Sequence, residues 1–304
     1  MPTPLLSVIV STYNRPDALR AVLEGLLHQS ETNFECIVAD DGSTTPTREV
    51  VDAFAQRFHG RLKHVWHADE GFRLSAIRNL AAEHSSGEFL CFLDGDCVPR
   101  NHFVAAHQKI AEEGWISRGS RVLMSEAFTQ QVLHDLIPMH ALTMQQLSLH
   151  HRAGDLNRVH PMQEGPLDFL RNLTARFRPA HWRSVRTCNV VVSKHNLITV
   201  RGFDENFTGW GFEDSDFCVR MLNAGIRIQR APAATTVLHL WHQERDRSLQ
   251  SDNMQRLQQT LRDRRILPVR GLYGDGLQGI VHGNNGPTHT ECPSHTHNIP
   301  HHDF

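Results

Sequence analysis

The chain is short of several things that would have named a function at once. None of its six cysteines, at 36, 91, 97, 188, 218 and 292, forms a C-x-x-C pair. Several sit inside apolar runs, where a free thiol behaves as a small hydrophobe, and a reducing compartment fits best. No stretch of about 18 apolar residues occurs, so no membrane span is expected. The N-terminus has neither the basic start nor the cleavable apolar segment of a secretory signal, so a cytoplasmic location is expected. No G-x-G-x-x-G and no G-x-x-x-x-G-K-[ST] is present, which removes the dinucleotide fingerprint and the P-loop. Charge of one sign is lacking too. A net charge of −2 at pH 7 gives no reason to expect nucleic acid as a partner.

What remains is an ordinary globular composition, 39% hydrophobic and 21% charged over 304 residues, enough for one large or two small domains with a substantial core. The 22 histidines are the unusual number, and together they would make the protein cationic below about pH 6. Leu5 to Val10 reads as a strand and ends at Ser11-Thr12-Tyr13-Asn14-Arg15-Pro16. Asp17 is placed to cap a helix with Ala18, Leu19, Val22, Leu23, Leu26 and Leu27 on one face. Phe34 to Ala39 is a second strand, closed by Asp40-Asp41-Gly42-Ser43-Thr44. A helix through Val50, Val51, Phe54 and Phe58 and a short strand from Leu62 to Trp66 follow. Strand alternating with helix across short polar turns predicts an α/β fold with a mostly parallel sheet flanked by helices, and ligands in such sheets bind at the carboxyl ends of strands.

Phe89-Leu90-Cys91-Phe92-Leu93 is a buried strand that runs into Asp94-Gly95-Asp96. If the extended geometry persists, the two carboxylates point to the same side, because strand side chains alternate with period two. Gly95 leaves room for a ligand to approach the backbone. Two hard oxygen donors at a strand end suit Mg2+ or Mn2+ held jointly with substrate phosphates, while Asp-Gly equally makes a hairpin turn. Just upstream, Arg73 and Arg78 on a helix through Ala76 to Ala82 could face a diphosphate, or simply be solvated.

Taken in order, Val8 to Arg15, Val38 to Ser43, Ala76-Ile77-Arg78-Asn79 and Leu93-Asp94-Gly95-Asp96 resemble the motif series of family 2 glycosyltransferases with the GT-A fold. The resemblance implies an inverting transferase that uses a nucleoside-diphosphate sugar, usually UDP, and a divalent metal. It implies Ser11, Tyr13 and Asp41 at the nucleoside, Asn14, Arg15, Arg73, Arg78, Asp94 and Gly95 around the nucleotide sugar, and Asp94 and Asp96 at the metal. The donor half then spans residues 1–115, and 116–266 forms the acceptor-binding and catalytic half of the same domain.

In that second half, Ile116 to Met124 reads as a strand region, Phe128 to Leu136 and Leu167 to Phe177 as helical runs, and Cys188 to Val192 as another buried strand. The run with Arg171, Arg176 and Arg178 could pack as a lid or lie on an anionic surface at the inner membrane face. Gly209-Trp210-Gly211-Phe212-Glu213-Asp214 opens a helix. Acidic first turns are expected on dipole grounds, which suffices for Asp216 but does not explain the Gly-Trp-Gly ahead of it. The stretch resembles the G-W-G-x-E-D motif of β-1,4-galactosyltransferases and chondroitin-polymerase-type enzymes. That resemblance implies Asp214 as catalytic base, Glu213 beside it, and Trp210 and Gly211 at the acceptor. It also implies a histidine after the Val237 strand as a metal ligand, His242 or alternatively His239. A histidine beside carboxylates favours Mn2+ over Mg2+.

The charged run from Glu244 to Arg247 is placed to close over the donor, and Leu249 to Ile266 reads as a basic amphipathic helix. Residues 267–304 turn rich in glycine, proline and histidine, and after about 275 they hold too little apolar mass to offset ordering entropy. A disordered tail is expected there, with a histidine-rich metal-binding tail as the alternative. The function expected is transfer of a hexose or N-acetylhexosamine from UDP to a glycan or lipid-linked acceptor. Its rivals are a sugar nucleotidyltransferase and a silent carbohydrate-binding subunit.

Overall fold

The computed structural model of the chain describes residues 5–134, 137–163, 181–243 and 248–272, and the backbone of 280–283 and 286–289. The chain starts β1 (Leu6–Thr12), α1 (Pro16–Leu27), β2 (Phe34–Asp40), α2 (Thr45–Arg57), β3 (Leu62–Trp66), α3 (Leu74–Glu83) and β4 (Phe89–Asp94). It continues β5 (Cys97–Val98), α4 (Phe103–Ile110), β6 (Trp115–Arg118), β7 (Arg121–Leu123), α5 (Glu126–Leu133) and α6 (Met144–Arg152). Then come β8 (Asn189–Ser193), α7 (Lys194–Thr199), α8 (Glu213–Asn223), β9 (Arg227–Arg230), β10 (Val237–His239), α9 (Gln250–Asp263), β11 (Ile280–Gly283) and β12 (Gly286–His289).

The main sheet has the order β12-β11-β3-β2-β1-β4-β8-β6-β9, and a small sheet β5-β10-β7 stands beside it. The alternation read from the sequence builds the α/β architecture: β1 pairs in parallel with β2 and β4, and β2 with β3. Among the described strands of the main sheet, β8 and β11 run against the others. The continuous apolar strands are buried on both faces. Leu6, Val8 and Val10 of β1 join a core under α1 and α2, while Ile9 joins the core formed with α3 and α8. Both cores draw residues from either side of position 116.

Three local expectations change. Pro16 occupies the first helical turn of α1, so Asp17 lies inside that turn and pairs with Arg15 at 3.1 Å instead of capping. Between the helical runs expected at Phe128 to Leu136 and Leu167 to Phe177, where no element was expected, α6 is a regular helix held by a reciprocal capping box between Thr143 and Gln146. Within the expected tail, β11 and β12 form a hairpin whose first strand covers the open edge of β3; backbone pairing needs little apolar mass. The basic run around Arg171, Arg176 and Arg178, the Glu244 to Arg247 loop and positions 290–304 fall outside the described residues.

Candidate active site

Because β1, β2, β4, β6 and β9 share a direction, their carboxyl ends gather on one edge of the sheet, and the candidate residues collect there. The key local event is at Gly95. The strand does not stay extended through Asp96: β4 ends at Asp94, the chain turns at Gly95–Asp96, and β5 begins at Cys97. Gly95 N–H donates to Ser11 O at 2.7 Å, and a Cβ on Gly95 would sit 2.7 Å from that same oxygen. Its missing side chain therefore serves the approach of two backbones. The turn sends the two carboxylates to different partners, which corrects the expectation that they face the same way.

Asp94 goes to Arg78. The guanidinium of Arg78, 1% exposed, donates from Nη2 to Asp94 Oδ1 at 2.8 Å, from Nε to Ser11 Oγ at 3.2 Å and from Nη1 to Asp214 Oδ1 at 3.3 Å. Burial alone would lower its pKa, and the charges of Asp94, Asp214 and Glu213 together more than compensate, so it is held above its ordinary value. Burial, then the repulsion of Asp96 and Asp214, raises Asp94 against the pull of Arg78. One arginine thus ties together the ends of β1 and β4 and the start of α8.

Asp96 goes to two histidines. Its Oδ1 lies 3.6 Å from His239 Nε2 and its Oδ2 lies 3.5 Å from His242 Nε2. One ligand atom from each of the three residues falls within 4.8 Å of the others. His239 arrives because it pairs with Cys97 across the small sheet, and His242 follows three residues later. His242 Nδ1 stands 2.8 Å from Gln243 O, so a proton there leaves the Nε2 lone pair available to a cation beside Asp96. Burial holds His239 below its ordinary value, against the pull of Asp96. Both histidines therefore reach Asp96, whereas Asp94 stands outside this group. One carboxylate and two imidazoles with an open side are a donor set that fits Mn2+.

At the other end of the edge, Asp41 is buried; its Oδ1 lies 2.6 Å from His67 Nε2 and its Oδ2 accepts from Arg73 N–H at 2.9 Å. The phenol of Tyr13 donates to Asp69 at 2.9 Å. Asn14 takes a positive φ of 49° and links to the next turn by accepting from Thr44 N–H at 2.9 Å. Arg73 spends its guanidinium on Glu70 and the Ala68 carbonyl, and Arg15 stays with Asp17. Sequence reasoning missed His67 and Asp69. Both follow β3 on the same edge, and that position was the signal available.

The helix α8 starts from a strained turn: Gly209 has φ 69°, Gly211 φ 114° and Phe212 φ 70°. Trp210 is held out to solvent on this turn, 38% exposed, and Gly209 N–H is anchored to Phe72 O at 3.1 Å. Glu213 is buried and accepts from Gly211 N–H at 3.2 Å; burial, then the charge of Asp214, raises its carboxyl to about 8. Asp214 keeps part of its surface open and accepts from Thr187 N–H at 3.0 Å, from the Thr187 hydroxyl and from Arg78. Thr187 is another partner the sequence did not single out. Asp216 is structural, as the dipole argument required: it pairs with Arg220 at 2.7 Å and accepts from Thr260 of α9 at 2.7 Å.

With the geometry described, known proteins can be set beside it. The profile of glycosyl transferase family 2 matches residues 7–159, and that of the N-terminal domain of galactosyltransferase matches residues 169–243. The chain is 32% identical over 234 residues to a validoxylamine A glucosyltransferase of Streptomyces hygroscopicus subsp. jinggangensis, covering 73% of this chain and 52% of that protein. It is 27% identical over 249 residues to a chondroitin synthase of Escherichia coli, covering 79% of this chain and 34% of the other. The chain thus spans between a third and about half the length of these relatives. Among solved structures, a mannosyltransferase of Pyrobaculum calidifontis, in complex with GDP-Man and Mn2+, superposes with a TM-score of 0.51 at 18% identity. That match covers 79% of this chain and 58% of that one, and it shows a shared fold, the GT-A arrangement. Among the described residues, no helix is long and apolar enough to cross a membrane.

Proposed function

Because the chain belongs to glycosyl transferase family 2, we propose that it moves a hexose or N-acetylhexosamine from a UDP-sugar to a hydroxyl of a glycan or lipid-linked acceptor, with inversion. The observation that carries this reading is the meeting of two sets on one sheet edge. These are the Asp96–His239–His242 donors and the Arg78–Asp94–Asp214 network. Mn2+, or Mg2+, held by Asp96, His239 and His242 would neutralise the departing diphosphate. Asp214 takes the proton of the acceptor hydroxyl as its oxygen bonds to the anomeric carbon. The bond from that carbon to the diphosphate breaks on the opposite face, and the leaving group departs with the electron pair.

Thr187 and Arg78 fix the Asp214 carboxylate for that task. Glu213, protonated up to about pH 8, can donate a hydrogen bond to the acceptor. Trp210 offers its exposed ring face to a sugar, with Gly211 allowing close approach. On the donor side, Ser11, Tyr13, Asn14, Arg15, Asp41, Arg73 and Gly95 shape the nucleotide pocket in residues 1–115, with His67 and Asp69 behind Asp41 and Tyr13. Residues 116–266 serve the acceptor. The names of the relatives, a glucosyltransferase and a chondroitin synthase, are in keeping with a hexose or hexosamine donor.

Incubation with Mn2+, UDP-sugars and a panel of glycan acceptors tests the reading by its products. A transferase releases UDP and lengthens the acceptor. Release of pyrophosphate or sugar phosphate would mean a nucleotidyltransferase, and tight sugar binding without turnover a silent binding subunit.

A further inference from the structure

The carboxyl edge carries a second charged feature that the catalytic centre leaves unused. β6 and β9 run in the same direction as β4, so their last residues, Arg118 and Arg230, emerge on the edge that holds Asp94. Strand spacing sets them about 10 and 14 Å from the β4 end, on the side away from the nucleotide strands. They are direct partners across the β6–β9 pair. By alternation they share the face of Ile116 and Ile228, whose core includes Phe217 of α8, the helix that begins beside Asp214.

Like charges placed opposite each other in a sheet are destabilising. Among the described residues, neither arginine has a carboxylate partner or a side-chain hydrogen bond, although both are half-buried. Arg118 Nε is fully enclosed and unpaired. Burial, then the charge of Arg230, presses Arg118 below its ordinary pKa. Two further arginines are linked to each other and to the centre. Arg158 donates to the Arg121 carbonyl at 2.7 Å, and Arg121 lies 3.8 Å from Cys188 Sγ, close enough to Asp94 to feel its charge. Guanidinium groups held half-dry without an anion are an arrangement that a ligand oxyanion completes.

We propose that Arg118 and Arg230 form a subsite for an acidic group, carboxylate or phosphate, on the acceptor, two and three strands away from the end of β4. The proposal rests on the transferase reading and narrows its acceptor to an anionic glycan. Calorimetry on the full chain with Mn2+ and UDP would compare three probes: maltotetraose, a phosphorylated maltotetraose and tetragalacturonate. At least one anionic probe should bind about tenfold or more tightly than the neutral one, with an affinity that falls as salt is added. Whichever anion wins names its source. R118Q/R230Q should abolish that preference while UDP binding is kept, and R118K/R230K should retain most of it.

Equal affinity for all three probes, or a preference that survives R118Q/R230Q, overturns the proposal. If R118Q/R230Q does not fold, R230Q alone on the edge strand carries the same two outcomes. UDP release from a UDP-sugar, followed in the same samples, reports the transferase reading separately. Release without anion preference removes only the subsite. Anion preference without release removes the acceptor role assigned to it.

Discussion

Replacing Arg78 by methionine is the perturbation that reaches furthest into this site. The side chain is 1% exposed and holds the Ser11 hydroxyl and the Asp94 and Asp214 carboxylates from a single guanidinium. Methionine fills much of the same volume but leaves both acids without their cation. Stranding one side of a fully buried ion pair costs about 3–5 kcal/mol. Here Asp94 is 32% and Asp214 19% exposed, so water recovers part of the loss. We expect about 2–3 kcal/mol, which lowers the melting temperature by about 3–5 °C in a chain of this size.

The network argument also fixes how that loss combines with a second change. In an Asp214→Asn background one of the stranded charges is already gone, so Arg78→Met should cost about 1 kcal/mol less than in the wild type. Urea denaturation of the four proteins of this cycle supplies the numbers. Strict additivity, or a single-mutant cost under about 0.5 kcal/mol, would refute the claim that Arg78 organises the site electrostatically.

Other outcomes follow from the same geometry. His239→Ala and His242→Ala should each weaken Mn2+-dependent UDP binding, and if only one does so in calorimetry the other is not a ligand. Thr260→Val should cost about 1–3 kcal/mol by taking the side-chain donor from the buried Asp216 Oδ1 while Arg220 still holds Oδ2, with UDP binding unchanged; a loss of UDP binding would make Asp216 more than structural. Glu213 has a folded pKa raised to about 8, above its unfolded value, so the folded state keeps a proton that the unfolded state releases. The stability linked to that proton is full below the unfolded pKa and is lost as pH rises towards about 8. Glu213→Gln should therefore gain on the wild type in thermal melts between about pH 5 and 8, and a pH-independent difference would contradict the assigned environment.

The parts of this structure that the sequence discloses are those governed by period and burial. Val8 to Val10, Cys36 to Ala39 and Leu90 to Leu93 lack polar alternation because both sheet faces are covered, and their ends mark the functional edge. What stayed hidden depends on tertiary meeting. Nothing local to Asp94-Gly95-Asp96 says that Gly95 must clear the Ser11 carbonyl, and that contact is what splits the two carboxylates. Thr187 reaches Asp214 only because β8 enters the sheet against its neighbours, bringing its amino end to the shared edge. The α6 helix was missed although its signal was present: Thr143 and Gln146 stand three apart as a capping box requires.

The central claim is that Asp214, steered by Thr187 and Arg78, accepts the proton when a sugar is transferred at this edge. Asp214→Asn tests it most directly, because asparagine keeps one oxygen for Arg78 and cannot take a proton. The amide placed against the Thr187 donors costs some stability, so turnover is compared at a temperature where both proteins are fully folded and bind UDP with Mn2+ equally. Transfer rates at saturating donor and acceptor should fall by about 10²–10⁴-fold with UDP affinity unchanged. A variant that still transfers sugar within a few-fold of the wild type would contradict the account.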